Sequence, residues 1–235
     1  SMPSPSFLLV NGGASRCQRP RPQLEPRAWQ SQLIQLLRAR LLAASPTGQD
    51  VLVHAGPGAG KTLGALLAFD KLQRERRLDR FVVFCHRSSI AGQWRQAAAR
   101  LGLVLGEWEG EGLATNRDGL LISYQAASRH RQRLLDLLQA GPELTDPLRI
   151  QARTRWLAIA DEVHHLGVDP EEPEAAAWGH AFTSLTAGAQ LRLGLSGTPF
   201  RADNLAFCAA RRDRKSTREL QSPCNLVCRL LLEKK

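Results

Sequence analysis

Residues 55–62 read A-G-P-G-A-G-K-T and directly follow the apolar run V-L-V-H at residues 51–54. A glycine-rich turn at the start of a helix presents backbone N–H groups and the positive end of the helix dipole, and both attract phosphate. The glycines Gly56, Gly58 and Gly60 let the backbone bend around an anion without a Cβ atom in the way. This stretch therefore predicts a strand, a phosphate-binding loop and a helix in succession.

The loop also carries the side chains that a nucleoside triphosphate and its magnesium ion need. Lys61 is predicted to contact the β- and γ-phosphates, and the hydroxyl group of Thr62 to bind Mg²⁺. Ala59 lies between two of the glycines and belongs to the predicted nucleotide-binding set, whereas Ala55 stands where the strict pattern has glycine. A purely structural glycine-rich turn is the alternative. The helical pattern of residues 63–72 after the loop favours the nucleotide site.

Short apolar runs alternate with helical patterns along the rest of the chain. Strands are predicted at residues 51–54, 81–85, 119–123, 156–160 and 191–195, with a weaker candidate at 103–105. Helices are predicted from residue 27 to before Ser45, at 63–72, from a cap at Ser88 or Ser89 to about 100, from about 126 to about 138 and at 174–185. This alternation predicts an α/β fold with a mostly parallel sheet flanked by helices. Ligands of such folds bind beyond the carboxyl ends of the strands.

The composition is that of a globular protein. With 235 residues, of which 43% are hydrophobic, the chain can bury a full core as one domain or two small ones. No apolar run reaches the roughly 18 residues of a membrane-spanning helix, so no membrane partner is predicted. The five cysteines are scattered, which favours a reducing compartment over a disulfide framework. We therefore predict a cytoplasmic protein, or one of the nucleoid or, in a eukaryote, of the nucleus.

The net charge of +10 is concentrated near the two ends of the chain. Residues 211–235 carry eight basic and three acidic side chains, and residues 16–27 carry four and one, so the remainder holds only +2. A basic protein invites a nucleic-acid partner, but a charged tail is more often solvated than specific. The charge alone leaves both interpretations open.

Two adjacent acids, Asp161 and Glu162, end the apolar strand predicted at residues 156–160. Phosphoryl transfer to water needs Mg²⁺ held by the loop hydroxyl and a strand-end aspartate, together with a group that orients the attacking water. Asp161 suits the metal role and Glu162 the general-base role. A solvated turn or helix start is the alternative, which the phosphate loop makes less favourable.

Six stretches resemble, in order, the motifs of the superfamily 2 helicases and translocases. They are R-A-W-Q at residues 27–30 (the adenine-reading motif), residues 55–62 (motif I, or Walker A), 85–94 (motif Ia), I-S-Y-Q at 122–125 (motif Ib), D-E-V-H at 161–164 (the DEAH form of motif II) and S-G-T at 196–198 (motif III). The resemblance covers about residues 24–207 and is greatest to DEAH-like helicases related to restriction-enzyme motor subunits and DNA-repair helicases. Because His164 stands where RNA-dedicated DEAD-box helicases have Asp, DNA is favoured over RNA as the partner.

The resemblance implies a RecA-like P-loop NTPase fold, ATP and Mg²⁺ as cofactors, and a role for each matching residue. The implied roles are adenine contact for Arg27 and Gln30, phosphate and metal contact for Lys61 and Thr62, catalysis by Lys61, Asp161 and Glu162, coupling of nucleotide to nucleic acid by His164, Ser196 and Thr198, and nucleic-acid contact by Arg87, Ser123 and Gln125. For the last three, a plain surface position is the alternative. Trp94 is predicted to be a core residue rather than a base-stacking platform, and His165 is left without a role.

The predicted organisation is a flexible segment at residues 1–23, a helicase ATP-binding domain at 24–212 and a basic tail at 213–235. The helicase family needs a second RecA-like domain carrying an arginine finger, and the residues after 200 are too few for one. We expect the native protein to continue past about residue 212 into that domain, the tail being unrelated and derived from cloning.

The predicted function is the motor domain of an ATP-dependent DNA helicase or translocase, with little or no turnover by itself. A standalone nucleotide-binding regulatory module is the alternative, and a motor joined to a nuclease is a third interpretation.

Overall fold

The structure is a computed structural model and describes residues 24–42, 50–54, 56, 60–87, 91–108, 118–139, 155–167 and 169–197. These residues form six strands and six α-helices. The strands are β1 (Asp50–His54), β2 (Arg80–Cys85), β3 (Leu105–Glu107), β4 (Gly119–Ser123), β5 (Trp156–Ala160) and β6 (Leu191–Ser196). The helices are α1 (Ala28–Leu42), α2 (Lys61–Arg74), α3 (Ala91–Arg100), α4 (Tyr124–Arg129), α5 (Arg131–Gln139) and α6 (Pro173–Leu185).

The six strands make one sheet in the order β1-β6-β5-β2-β4-β3, and every neighbouring pair is parallel. Both faces of the sheet are covered, which is why the strands are almost continuously apolar. One core packs α1, α2 and α3 against the sheet, and the other packs α4, α5 and α6 against the opposite face. Alternate residues of a strand serve the two cores, as Val51 and Leu52 show. The predicted α/β fold with a parallel sheet is confirmed.

Two predicted elements differ from the structure for local reasons. The strand expected at 103–105 begins at Leu105, because the backbone N–H of Leu103 donates to Ala98 O (2.9 Å) and closes the turn after α3. The single helix expected from about 126 to 138 starts earlier, at Tyr124, and is two helices, α4 and α5, separated at His130, whose backbone is not helical (φ −113°, ψ 32°). The predicted caps Ser88 and Ser89, the segment 1–23 and the tail 213–235 lie outside the described residues.

The first helix packs tightly on the helix that follows the phosphate loop. A Cβ atom on Gly64 would lie 2.5 Å from the ring of Trp29, so the absence of a side chain at this position of α2 allows α1 to approach. This packing brings Gln30, the next residue of α1, next to Gly60. No helix in the described ranges is long and apolar enough to cross a membrane.

Candidate nucleotide and nucleic-acid site

The predicted site residues lie at one edge of the sheet. Because the strands are parallel, their carboxyl ends meet at the same edge. Lys61 follows β1 and its loop, Arg87 follows β2, Gln125 follows β4 and Asp161 follows β5. Ser196 is the last residue of β6 and is paired in register with His54, the last residue of β1. Thr198, Gly58 and Ala59 lie outside the described residues.

The end of the phosphate loop has the backbone that an anion site requires. Gly60 adopts a left-handed conformation (φ 77°, ψ 41°) that favours glycine, and α2 begins at the next residue, Lys61. The Nζ atom of Lys61 lies 3.3 Å from Oε1 of Glu162, across 101 residues of sequence. The structure therefore places the lysine of the loop beside the acid predicted to activate water.

A cavity of about 320 Å³ opens beside the loop. One wall comprises Gly56, Gly60, Lys61, Thr62 and Leu63, and the other is formed by α3 through Gln93, Gln96, Ala97 and Arg100. Sequence reasoning missed the polar residues of α3. Their spacing of three and then four residues places Gln93, Gln96 and Arg100 on one helical face and was the available indication.

The predicted adenine-reading residues lie directly against the loop. Gln30 is only 2% exposed; its Oε1 accepts the backbone N–H of Arg27 (2.9 Å) and its Nε2 donates to Gly60 O (3.2 Å). The guanidinium group of Arg27 also lies beside Gly60. The Gln30 amide thus ties the start of α1 to the loop, and adenine contact by these two residues stays a prediction.

Asp161 is 5% exposed, and its carboxylate is hydrogen-bonded inside the protein. Its Oδ2 accepts the indole N–H of Trp94 at 2.9 Å. Burial raises the pKa of Asp161, and the bond from Trp94 opposes that shift. The prediction that Trp94 is a core residue is confirmed, because its side chain is fully buried.

Glu162 has a backbone conformation that is uncommon for a residue with a side chain (φ 46°, ψ 59°). Its carboxylate lies between two partners, with Oε1 facing Lys61 and Oε2 at 3.3 Å from Nδ1 of His164. Unusual backbone of this kind is concentrated at functional sites, where the surrounding structure maintains it. The geometry therefore singles out Glu162 at the end of β5.

Two of the three residues predicted to contact nucleic acid, Arg87 and Gln125, are joined by a hydrogen bond. Oε1 of Gln125 accepts the backbone N–H of Arg87 at 2.9 Å, and Nε2 of Gln125 lies 3.1 Å from Nε2 of His86. Arg87 is exposed. The hydroxyl of Ser123 accepts the backbone N–H of Ala126 (3.0 Å) and so caps α4. The structure thus joins Arg87 to Gln125, whereas the hydroxyl of Ser123 is used to cap α4.

His165, for which no role was predicted, lies in a cluster of aromatic side chains. Ring centroids are 4.4 Å apart between His165 and His164, 5.1 Å between His165 and His86, and 5.4 Å between His86 and Trp178. Burial, followed by the neighbouring His164 and His86, lowers the pKa of His165. The cluster connects the end of β5 with the residue after β2.

Acidification is expected to destabilise the fold through His165. Its pKa is lower in the folded chain than in the unfolded one, so its contribution to stability is complete above about pH 6.5 and is lost as pH falls through the folded-state value. His165→Gln should therefore flatten the pH dependence of the free energy of unfolding between about pH 7 and 5. Denaturant titrations at stepped pH measure this. His180→Gln, an exposed change on α6, is the matched control, and identical pH profiles for the two variants would contradict the assignment.

A family model described as the type III restriction enzyme, res subunit, matches residues 23–201. The chain belongs to this family. This family assignment confirms the resemblance of residues 24–207 to the first RecA-like domain of the superfamily 2 helicases and translocases. The res-subunit domain is 32% identical over 181 residues to an uncharacterized protein of Mycobacterium leprae and 30% identical to one of Mycobacterium tuberculosis. The match covers 76% of the chain but only 26% of either relative, so the chain spans about a quarter of their length.

Solved structures support the fold assignment. The res-subunit domain is similar to the SWI2/SNF2 ATPase core of Sulfolobus solfataricus in complex with double-stranded DNA, with a TM-score of 0.55 and 19% identity over 75% of the chain and 32% of the solved one. A second solved structure, the SWI2/SNF2 ATPase core domain of Sulfolobus solfataricus, also gives a TM-score of 0.55, at 16% identity over 85% of the chain and 36% of the solved one. At these sequence identities, the structural similarity shows a shared fold and nothing more.

The res-subunit domain offers groups that fit Mg²⁺. This ion prefers oxygen ligands and usually keeps waters while binding one or two carboxylates and substrate phosphates. Thr62, the second residue of α2, carries a hydroxyl group, and Asp161, the residue after β5, carries a carboxylate. The positive charge of Lys61 partly opposes the rise that burial causes in the pKa of Asp161. These are oxygen donors beside a cationic phosphate loop, so the residues present suit the metal of a Mg·nucleotide.

Proposed function

We propose that this domain binds Mg·ATP and that, in the longer protein, its hydrolysis drives remodelling of DNA or translocation along it. The contact between Lys61 and Glu162 carries the proposal. It joins the phosphate loop after β1 to the acid after β5, which is the arrangement that hydrolysis of a γ-phosphate requires.

Each residue has a distinct part in the proposed reaction. Lys61 binds the β- and γ-phosphates and holds the transferred group in place. Thr62 and Asp161 are the residues that would hold Mg²⁺, which supplies neutralisation of phosphate charge when bound. Glu162 accepts a proton from the attacking water at its carboxylate oxygen. Arg27 and Gln30 orient the nucleotide through its adenine.

DNA is the nucleic acid that we propose as partner. The archaeal ATPase core with a similar fold was solved with double-stranded DNA, which supports a DNA-binding edge in this fold. The exposed Arg87, bonded through its backbone to Gln125, is placed to contact a phosphate backbone. We propose that His164, Ser196 and Thr198 transmit the nucleotide state to this edge.

A second RecA-like domain completes the proposed motor. The chain spans 26% of its curated relatives, so the remainder of such a protein has room for that domain and its arginine finger. A finger of this kind contributes about 10³ to 10⁵ in rate in related hydrolases. We therefore propose residues 24–212 as the first motor domain, with ATP bound weakly and turned over very slowly without its partner domain.

Nucleotide binding by the isolated chain tests the proposal. We expect weak Mg·ATP binding that Lys61→Ala abolishes, because a hydrogen bond to a charged group contributes about 1.5–3 kcal/mol, or roughly 10- to 100-fold in affinity. Equilibrium binding of a fluorescent ATP analogue measures the change. Lys71→Ala, ten residues further along the same helix and exposed, is the matched control.

The outcomes separate the candidate functions. Equal binding by both lysine variants would remove the phosphate-loop assignment. Binding that depends on Lys61, without DNA-stimulated hydrolysis by the longer protein, would favour a nucleotide-controlled regulatory module over a motor.

A further inference from the structure

Asp161 is held by hydrogen bonds from three separate elements. Its backbone N–H donates to Phe84 O of β2 (2.8 Å), and its backbone carbonyl accepts the hydroxyl of Tyr124, the first residue of α4 (2.6 Å). Its carboxylate Oδ2 accepts the indole N–H of Trp94 from α3 (2.9 Å). The position of the residue and the rotation of its carboxylate are therefore both determined by groups outside β5.

The donor to the carboxylate has properties suited to a metal ligand. Trp94 is 0% exposed, so its indole N–H is shielded from water that would compete for the bond. An indole N–H only donates and carries no net charge. It can therefore hold Oδ2 in place without neutralising the charge that attracts a cation, as a lysine or arginine would. The backbone N–H of Glu162 also donates a hydrogen bond to this carboxylate.

We propose that Trp94 is a positioning residue, whose indole N–H orients the Asp161 carboxylate for the Mg²⁺ of the bound nucleotide. Tyr124 contributes to the same end by holding the backbone carbonyl. The inference rests on the proposed function, because it assumes that Asp161 contacts the Mg²⁺. Outer-shell partners of metal ligands typically contribute 10- to 100-fold to metal affinity or activity.

The Mg²⁺ dependence of ATP binding tests the inference directly. For each variant, the dissociation constant of ATP is measured with saturating Mg²⁺ and with the metal removed by chelation. Trp94→Phe keeps an aromatic ring but removes the N–H. We expect it to lower the Mg²⁺ advantage, defined as the ratio of the metal-free ATP dissociation constant to the constant with Mg²⁺, roughly tenfold or more, while the metal-free constant is unchanged. Trp156→Phe is the matched control, a buried tryptophan on β5 without a bond to Asp161, and should keep the wild-type advantage.

A spectroscopic measurement on the wild-type chain covers the case in which Trp94→Phe does not fold. With indole nitrogens labelled, one of the five tryptophan signals belongs to Trp94. We expect addition of Mg²⁺ to the ATP-bound chain to shift that signal, and Asp161→Asn to abolish the response. An unmoved Trp94 signal, or a Trp94→Phe variant with the Mg²⁺ dependence of Trp156→Phe, would overturn the inference and leave Mg·ATP binding standing. A wild-type chain with no Mg²⁺-dependent ATP binding would overturn both.

Discussion

Glu162→Gln is expected to lower ATP turnover by the longer protein roughly 10²- to 10⁴-fold, the usual contribution of a general base. ATP should bind at least as tightly as before. In the structure Lys61 lies 3.3 Å from the Glu162 carboxylate, and the phosphates must compete with that ion pair for the lysine. Glutamine keeps the shape of the side chain but has no charge, so Lys61 becomes more available to phosphate. The change should therefore affect binding and turnover in opposite directions.

Steady-state hydrolysis in the presence of DNA, together with equilibrium ATP binding, measures the two effects. Glu172→Gln is the matched control, since this exposed acid lies ten residues further along the chain. A loss of ATP affinity as large as the loss of turnover would show that Glu162 supports binding, and the general-base role would fail.

Asp50→Ala is expected to lower the free energy of unfolding by about 3–5 kcal/mol. Asp50 and Arg192 are paired in register across β1 and β6, and they are only 2% and 8% exposed. Nε of Arg192 donates to Oδ1 of Asp50 at 2.8 Å, and a second bond joins the other guanidinium nitrogen to Oδ2. Removing the carboxylate leaves a buried positive charge without its bidentate partner, and that is the source of the large effect.

A double variant separates the effect of leaving Arg192 unpaired by Asp50 from the effect of losing side-chain volume. Asp50→Ala combined with Arg192→Leu removes both charges of the pair and should recover most of the lost stability. Arg95→Ala removes an exposed ion pair with Glu107 and should cost less than about 1 kcal/mol. Chemical denaturation of the four proteins measures the series. An Asp50→Ala variant no less stable than Arg95→Ala would contradict the assignment.

The strands were predictable because a strand buried on both faces is a continuous run of apolar residues in the sequence. The runs at 119–123 and 156–160 have the same bounds in the structure as in the prediction. Each contains five residues with almost no polar side chain, which a strand exposed on one face would not show. The break at His130 depends on a non-helical backbone conformation (φ −113°, ψ 32°), and the start of β3 follows a single backbone hydrogen bond from Leu103. A residue pattern reveals neither of these.

The sequence allowed us to predict which residues lie at the strand ends that form the site, but not which side chains contact each other there. The phosphate loop and the paired acids each stood out in the sequence, and the parallel sheet brings them to one edge. The bond from Trp94 to Asp161 spans 67 residues, and nothing about a tryptophan in a helix indicates which group its N–H reaches. The polar face of α3, by contrast, had an indication in the spacing of its residues and was missed. The roles of the predicted site residues stay predictions.

The pairing of β1 with β6 has a consequence for how the chain folds as it is made. β1 lies at the end of the strand order, beside β6, and 142 residues separate Asp50 from its partner Arg192. At the usual 5–20 residues per second of synthesis, β1 waits roughly 7–28 s for the strand that completes its hydrogen bonds. Of the six described strands, the one that leads into the phosphate loop is therefore the first to emerge from the ribosome and among the last to be paired. The proposed ATP site can form only after β6 has emerged.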